Sequence, residues 1–245
     1  MTRRPPPIIL FNPDQWRGDV MGHLGDPAAV TPNLDRMAGE TAVSFRHAYC
    51  QNPVCTPSRC SFMTGWYPHT FGHRTMYHLL RPDEPNLLKT LKEHGYHVWW
   101  GGKNDLVQGQ HHPFDSCHEY FRCQRPLWHR HHGQSSGWRG PPGGDNYYSF
   151  FEGRIAPPPE DFDGALDWDW AMVEGACERV RTWDGEAPLC LYLPIGYPHP
   201  PYTVEDPYFS MIDRAKLPPR TPAPEGWEGK PSILRGIAEG QGLHG

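Results

Sequence analysis

Short apolar runs that end in turn residues alternate along this chain with segments of helical spacing. Four stretches are rich in β-branched and aromatic residues or alternate in polarity, which predicts strands at 7–11, 42–49, 96–100 and 189–195. Helical spacing or start signals predict helices near 32–38, 57–64, 86–94, 167–183 and 233–239. Strands that alternate with helices are typical of an α/β domain with a mostly parallel sheet.

Proline and glycine mark where these elements begin and end. Thr31 and Thr56 each precede a proline, which predicts a capped helix start with proline at the first helical position, and Gly65 is a stop signal. The chain has 29 prolines in 245 residues, so many connections should be irregular. Residues 108–165 keep no period, and we expect an irregular insertion within one domain that spans 1–245.

Composition excludes several classes of protein. A net charge of −5 and a pI near 6.3 argue against a nucleic-acid binder that works by bulk charge. No apolar run approaches the ~18 residues that cross a membrane, so no membrane partner is expected. The apolar run at 8–11 is too short for the core of a signal peptide, and we expect a cytoplasmic protein. The 7 cysteines include no CxxC pair, which gives a zinc ribbon little support.

Three polar residues follow predicted strands closely. Asp14 comes after 7–11, Lys103 after 96–100 and His199 after 189–195. In parallel α/β sheets, ligands bind outside the carboxyl ends of the strands. The sequence therefore predicts that these side chains share one site.

Cys55 lies just before a predicted helix that also carries Arg59. The N–H groups and positive dipole end of a helix start favour an anion, and the Arg guanidinium adds a fixed fork for an oxyanion. Residue 55 is thus a candidate nucleophile that faces an anionic substrate. The alternative is a buried structural cysteine, which is the usual place of a free thiol.

The run Cys55-Thr56-Pro57-Ser58-Arg59 with downstream Thr64-Gly65 resembles the signature of the sulfatase family. Further segments that resemble the family, in chain order, are Asp14-Gln15, 31–38, 45–65, Gly102-Lys103 and 198–202. The resemblance implies an alkaline-phosphatase-like α/β fold, a mostly parallel sheet flanked by helices, and hydrolysis of small-molecule sulfuric esters.

The resemblance also implies cofactors. Cys55 would be oxidised to formylglycine by a formylglycine-generating enzyme, and the aldehyde hydrate would supply the attacking oxygen. Asp14, Gln15 and residue 55 would bind a divalent metal, with Ca²⁺ as the first choice and Mg²⁺ or Mn²⁺ as alternatives.

Three more residues receive roles from the same resemblance. Arg59 would orient the formylglycine and the ester, and Lys103 would bind the sulfate oxygens. His199 would hold the leaving oxygen or donate a proton to it.

Departures from the family pattern leave alternatives open. The run 14–17, Asp-Gln-Trp-Arg, resembles phosphonate monoester hydrolases and choline-sulfatase-like members, so a phosphonate monoester or phosphodiester substrate is an alternative. Many sulfatases have a histidine two residues after the lysine, whereas Asp105 stands here; Asn104 or the pair His111-His112 is a candidate substitute. The family has a second pair of acidic metal ligands, and nothing in 203–245 matches it. We therefore expect a truncated chain, and an inactive remnant is the third hypothesis.

Overall fold

The computed structural model describes residues 5–109, 113–129, 151–200, 202–219 and 226–240. Its strands are β1 (Ile8–Phe11), β2 (His97–Gly101), β3 (Glu119–Phe121), β4 (Phe151–Ile155), β5 (Leu189–Leu193) and β6 (Tyr202–Glu205). Its α-helices are α1 (Pro32–Glu40), α2 (Cys55–Thr64), α3 (Leu87–Glu93), α4 (Pro113–Ser116), α5 (Trp168–Thr182), α6 (Tyr208–Met211) and α7 (Ser232–Gly240). Two 3₁₀ turns cover Gly22–Leu24 and Arg214–Lys216.

Four of the strands form a parallel sheet in the order β1-β5-β2-β3. Cys190 of β5 lies opposite Ile8 of β1 on one side and Val98 of β2 on the other. Every residue of β5 is buried, as a central strand covered on both faces requires. The α/β fold with a mostly parallel sheet flanked by helices is confirmed.

Side chains on the two faces of this sheet pack into separate apolar clusters. Successive side chains of a strand point to opposite faces. In β2, Val98 and Trp100 therefore pack with Met63 and Leu88 of α2 and α3. Trp99 packs on the other face with Met172 of α5.

The chain divides into two compact units, 1–16 with 45–130 and 158–199, and 17–44 with 131–157 and 200–245. The first unit holds the four-stranded sheet. The second holds the parallel pair β4–β6, where Ile155 and Thr203 are buried. Within it, Asp35 of α1 accepts hydrogen bonds from the backbone of His23 at 2.8 Å and from the Thr31 hydroxyl at 2.9 Å. Thr31 therefore stands at the predicted N-cap position of α1, but its hydroxyl binds the Asp35 side chain and makes no capping hydrogen bond to the backbone of the helix.

One predicted strand was wrong. Residues 42–49 form no strand, and Val43, Phe45 and Tyr49 are exposed, because alternating polarity produces a strand only where a neighbouring strand supplies hydrogen bonds. Within 108–165, the described residues 108–109, 113–129 and 151–165 include α4, β3 and β4. Elements of three to five residues are too short to show a period.

No helix in the described ranges is long and apolar enough to cross a membrane.

Candidate active site

Helix α2 positions residue 55 at its first turn. The helix begins at Cys55, because Val54 is extended and its carbonyl already accepts the Ser58 N–H at 2.9 Å. It ends at Thr64, and Gly65 follows as the C-cap: its N–H donates to the Ser61 carbonyl at 2.8 Å, and its left-handed φ of 77° turns the chain out of the helix. The predicted helix end is confirmed, but the predicted N-cap is wrong. Thr56 does not cap it, since its hydroxyl donates to the Met76 carbonyl at 3.3 Å.

Asp14 lies beyond the carboxyl end of β1 and joins three of the predicted site residues. The Cys55 thiol donates to Asp14 Oδ1 at 3.2 Å, and the Lys103 ammonium donates to Oδ2 at 2.5 Å. Arg59 approaches the same Oδ2 at 3.4 Å. Burial raises the pKa of Asp14, but the hydrogen bond and charge of Lys103 and the charge of Arg59 outweigh it, so the pKa lies below its usual value. Asp14 is an anion at neutral pH.

Lys103 reaches this carboxylate because the chain turns tightly after β2. Gly102 has a φ of 139°, and a Cβ there would lie 2.3 Å from the Pro194 carbonyl oxygen, so only glycine fits. The next N–H, of Lys103, donates to that carbonyl at 2.7 Å. The Lys103 ammonium also lies 2.8 Å from Asp105 Oδ2. Burial lowers the pKa of Lys103, but the hydrogen bonds and charges of Asp105 and Asp14 raise it by more, so the net shift is upward.

Arg59 is buried at the back of the site. It donates to Asn12 Oδ1 at 2.7 Å and to the Tyr192 hydroxyl at 3.1 Å, and its Nε lies 3.9 Å from Asp105. Burial opposes the charge, but Tyr192 and Asp14 raise the pKa of Arg59 above its usual value. Two cations, Arg59 and Lys103, therefore bind the carboxylate that also accepts the Cys55 thiol, which favours an anionic group at this point.

The Cys55 thiol is not a ready nucleophile in this setting. Burial, aided by the negative charge of Asp14, raises its pKa to about 11. The thiolate is the reactive form of cysteine, and almost none is present at pH 7 with such a pKa. The surroundings of residue 55 therefore suit a nucleophile other than a cysteine thiolate.

Asp169, in the first turn of α5, holds the turn that leads to His199. Its two carboxylate oxygens accept the N–H groups of Gly196 at 2.8 Å and Tyr197 at 2.6 Å. The Tyr197 carbonyl in turn accepts the Asp14 N–H at 3.2 Å, and the His199 N–H donates to the Gly196 carbonyl at 2.9 Å. The segment that carries His199 is thus fastened to the segment that carries Asp14. Burial raises the pKa of Asp169, against the effect of the two N–H groups.

The contacts group Asp14, Cys55, Arg59 and Lys103 around one point. Gln15 follows Asp14 directly and has a left-handed φ of 62°, which is rare for a residue other than glycine. This strained backbone conformation lies in the turn after β1, directly beside Asp14, and such strain is common at functional sites.

A divalent cation has a partial ligand set here. Ligand atoms of Asp14, Cys55 and Asp105 all lie within 4.8 Å of one another. Carboxylate oxygens suit Ca²⁺ and Mg²⁺, whereas a thiol sulfur is a soft ligand that these hard cations avoid. The donor set fits such a metal best when residue 55 offers oxygen in place of sulfur.

Sequence reasoning missed four residues of this arrangement: Asp105, Asn12, Tyr192 and Asp169. Asp105 and Asn12 follow strand ends, the same signal that identified Lys103 and Asp14. Tyr192 lies inside an apolar strand and gives no signal of its own. The candidate substitute Asn104 supports its own loop, since its side-chain oxygen accepts the N–H groups of Leu106 and Val107, while His111 and His112 lie outside the described residues.

Comparison with known protein families gives one match over most of the chain. The family model described as Sulfatase matches residues 6–211. An ulvan-active sulfatase of Formosa agariphila is 42% identical over 98 residues, which are 40% of this chain and 19% of that protein. The human N-acetylgalactosamine-6-sulfatase is 37% identical over 106 residues, 38% of this chain and 20% of that protein. Arylsulfatase K of Rattus norvegicus is 24% identical over 198 residues, 80% of this chain and 31% of that protein.

Solved structures share the fold. BT4656, solved with its substrate D-glucosamine-2-N,6-O-disulfate, superposes with a TM-score of 0.62 at 21% identity, over 95% of this chain and 42% of that one. The phosphonate monoester hydrolase of Agrobacterium radiobacter superposes with a TM-score of 0.60 at 21% identity, over 88% of this chain and 45% of that one. The chain thus spans a fifth to a third of these curated relatives and less than half of these structures.

Proposed function

The chain belongs to the sulfatase family, and from that premise we propose that it hydrolyses sulfuric esters with a formylglycine made from Cys55 and a bound divalent metal. The observation that supports this most directly is the position of Cys55. It opens α2 and donates to Asp14 at 3.2 Å, and the same carboxylate binds the cations of Arg59 and Lys103. An enzyme that converts cysteine to formylglycine is the implied partner.

Two groups that this chain acquires carry the chemistry. Formylglycine supplies a hydroxyl of its hydrate as the nucleophile, in place of a thiol whose pKa of about 11 keeps it protonated. The metal, Ca²⁺ in the first place, supplies Lewis-acid polarisation of the ester, and Asp14, Gln15 and Asp105 with residue 55 are its proposed ligands.

The chain's own residues hold and orient the ester. Lys103, charged at neutral pH because its pKa is raised, binds the sulfate oxygens from one side. Arg59 is fixed by Asn12 and Tyr192 and holds residue 55 and the ester in register. His199, on the turn that Asp169 holds, is the proposed proton donor to the leaving oxygen.

One experiment tests the nucleophile. The protein is co-expressed with a formylglycine-generating enzyme, and the peptide that contains Cys55 is mapped by mass spectrometry. We expect the aldehyde there, hydrolysis of 4-nitrophenyl sulfate that depends on added calcium, and loss of that activity in Cys55→Ala. A fully unconverted thiol, or equal activity in Cys55→Ala, contradicts the proposal.

A phosphonate monoester or phosphodiester is the second candidate substrate. The run 14–17, Asp-Gln-Trp-Arg, favours it, since the notable feature there is an amide where an acid is common in sulfatases. The same preparation is assayed with 4-nitrophenyl phenylphosphonate. A higher kcat/KM on the phosphonate than on the sulfate reverses the order of the two candidates.

A further inference from the structure

A cleft opens beside the carboxyl end of β3, next to the residues that the proposed function uses. It has a volume of about 450 Å³ and is lined by Asn104, Gly109, Pro113, Tyr120, Phe121, Arg122 and Trp168. That volume lies within the range of small-molecule sites in proteins. Three of these seven residues are aromatic, and Arg122 is the charged one among them.

The cleft adjoins the candidate active site through the loop after β2. Asn104, in its wall, stands in the chain between Lys103 and Asp105. Tyr120, in the same wall, donates its hydroxyl to the Gly102 carbonyl at 3.4 Å. Asn104 and Tyr120 therefore join the loop that carries Lys103 to the wall of the cleft.

Among the described residues that line this region, Arg122 is the arginine without an acidic partner. A larger cavity of about 930 Å³ shares Tyr120, Phe121 and Arg122 with the cleft. Its other arginines are paired: Arg125 with Glu174, Arg179 with Glu119 and Arg181 with Glu178. Within the part of the chain that the structure describes, Arg122 has no carboxylate partner, and its guanidinium lies 5.5 Å from the centroid of the Tyr120 ring.

We propose that Arg122 binds a second anionic group, a carboxylate or a sulfate, on the alcohol part of the ester. This inference rests on the proposed function for the position of the scissile sulfate. The guanidinium matches both anions with two parallel N–H groups, and the Tyr120 ring holds it in place. The substrate class is then a sulfate ester that carries one more negative charge and a ring that lies between Phe121 and Trp168.

Binding tests the proposal without turnover. Protein with an unconverted Cys55 lacks the nucleophile, so sulfate esters serve as probes in isothermal titration calorimetry with calcium present. The probes are phenyl sulfates with a meta or para substituent: a carboxylate, a second sulfate, or a neutral carbamoyl group of similar shape. We expect the tighter-binding anionic probe to bind at least about tenfold more tightly than the carbamoyl probe with the same ring position, because a charge-assisted hydrogen bond to Arg122 contributes about that much.

Variants assign that preference to one residue. Arg122→Met should reduce the anion-to-carbamoyl ratio to about one. Arg122→Lys should keep part of the ratio. Arg125→Met, which removes an arginine already paired with Glu174, should keep all of it. Thermal unfolding of each variant checks that the fold is intact.

The outcomes separate this inference from the proposed function. The carboxylate and disulfate probes show which anion Arg122 prefers. Equal affinities for anionic and carbamoyl probes at both ring positions overturn the inference, and so does a ratio that survives Arg122→Met. If converted protein hydrolyses none of the esters but the ratio depends on Arg122, the proposed activity fails and the anion site stands.

Discussion

At the scale of residues, Lys103 is the cation on which two carboxylates depend. Its ammonium lies 2.5 Å from Asp14 and 2.8 Å from Asp105. We expect Lys103→Met to lower the free energy of unfolding by about 1–3 kcal/mol, less than for a fully buried pair because Lys103 is 28% exposed. The proposed sulfatase activity should fall at least about hundredfold.

Urea unfolding and steady-state kinetics measure the two effects. Lys216→Met is the matched control, because Lys216 lies 3.8 Å from Asp213 on the surface and both side chains are exposed. That variant should stay within about 0.5 kcal/mol of the parent. If Lys103→Met is as stable and active as the control, the charge network around Asp14 has been misread.

Asp169 offers a second test at this scale. Both of its oxygens accept backbone N–H groups, at 2.8 and 2.6 Å. In Asp169→Asn one oxygen is replaced by an N–H donor that faces another N–H, so we expect a loss of about 1–3 kcal/mol in unfolding free energy. The kcat should fall with it, since the turn holds His199. Asp184→Asn, on the exposed surface, is the control, and equal stability of the two variants in urea contradicts the assignment.

Residue chemistry explains which parts of the site the sequence could predict. Asp14, Lys103, Cys55 and Arg59 lie at strand ends or at a helix start, where the topology brings side chains together whatever the details of packing. Tyr192 belongs to the middle of an apolar strand, and its contact with Arg59 joins residues 133 positions apart. Such a partner becomes visible only in three dimensions.

At the scale of elements, the end of α2 depends on one backbone conformation. Gly65 has a φ of 77°, and a Cβ there would meet no atom within 4 Å. Gly65→Ala therefore strains the backbone without a clash, and we expect the unfolding free energy to fall by about 1 kcal/mol. Gly39→Ala is the control, because Gly39 lies within α1 with equally open space and helix propensity favours alanine there. Thermal unfolding measures both variants. An equal loss of stability in Gly65→Ala and Gly39→Ala would contradict the role given to the Gly65 conformation.

The β2–β3 pair should make stability depend on pH. The Val98 N–H donates to Nδ1 of His118 at 3.1 Å, which requires the neutral ring, and the rings of His118 and His97 stack at 4.7 Å. Burial, His97 and Lys92 together lower the pKa of His118 below its usual 6.5. A histidine with a lowered pKa contributes stability that is complete above pH 6.5 and is lost as pH falls through the folded-state pKa.

Urea unfolding between pH 8 and pH 5 measures this dependence. His118→Gln should flatten the decline of unfolding free energy on the acid side. His69→Gln, which changes an exposed ring that stacks on Tyr67 at 5.8 Å, should keep the parent profile. A parent protein whose stability rises as pH falls below 6.5 would show that the sign is wrong.

Element predictions succeeded where length and burial agreed and failed where pairing decided. The 189–195 run was predicted as a buried strand and became the central β5, because its apolar side chains are covered on both faces. The 42–49 run alternates as well as many strands do, but none of the described strands pairs with it, and it stays irregular. Strand β3 has only three residues and owes its existence to pairing with Trp99, Trp100 and Gly101 of β2.

At the scale of the whole molecule, the predicted α/β architecture followed from the order of elements, and the division into two compact units did not. Alternation of strands and helices is a property of consecutive segments and can be seen in sequence. The second unit is assembled from three separate stretches, and its β4–β6 pair joins Phe151–Ile155 with Tyr202–Glu205. Pairing across such a distance in sequence leaves no local pattern.

Calcium should stabilise the molecule as a whole, because a cation that binds only the folded state adds its binding free energy to that of unfolding. Asp14 and Asp105 come together only on folding, from positions far apart in the chain, so the unfolded chain has no equivalent site. At a calcium concentration of about one hundred times the Kd, the gain should reach about 2.7 kcal/mol. Scanning calorimetry at a series of calcium concentrations measures this gain as a rise in melting temperature. Asp105→Asn should need more calcium for the same shift, whereas the exposed Asp83→Asn should match the parent; identical titrations for all three proteins would remove Asp105 from the proposed metal ligands.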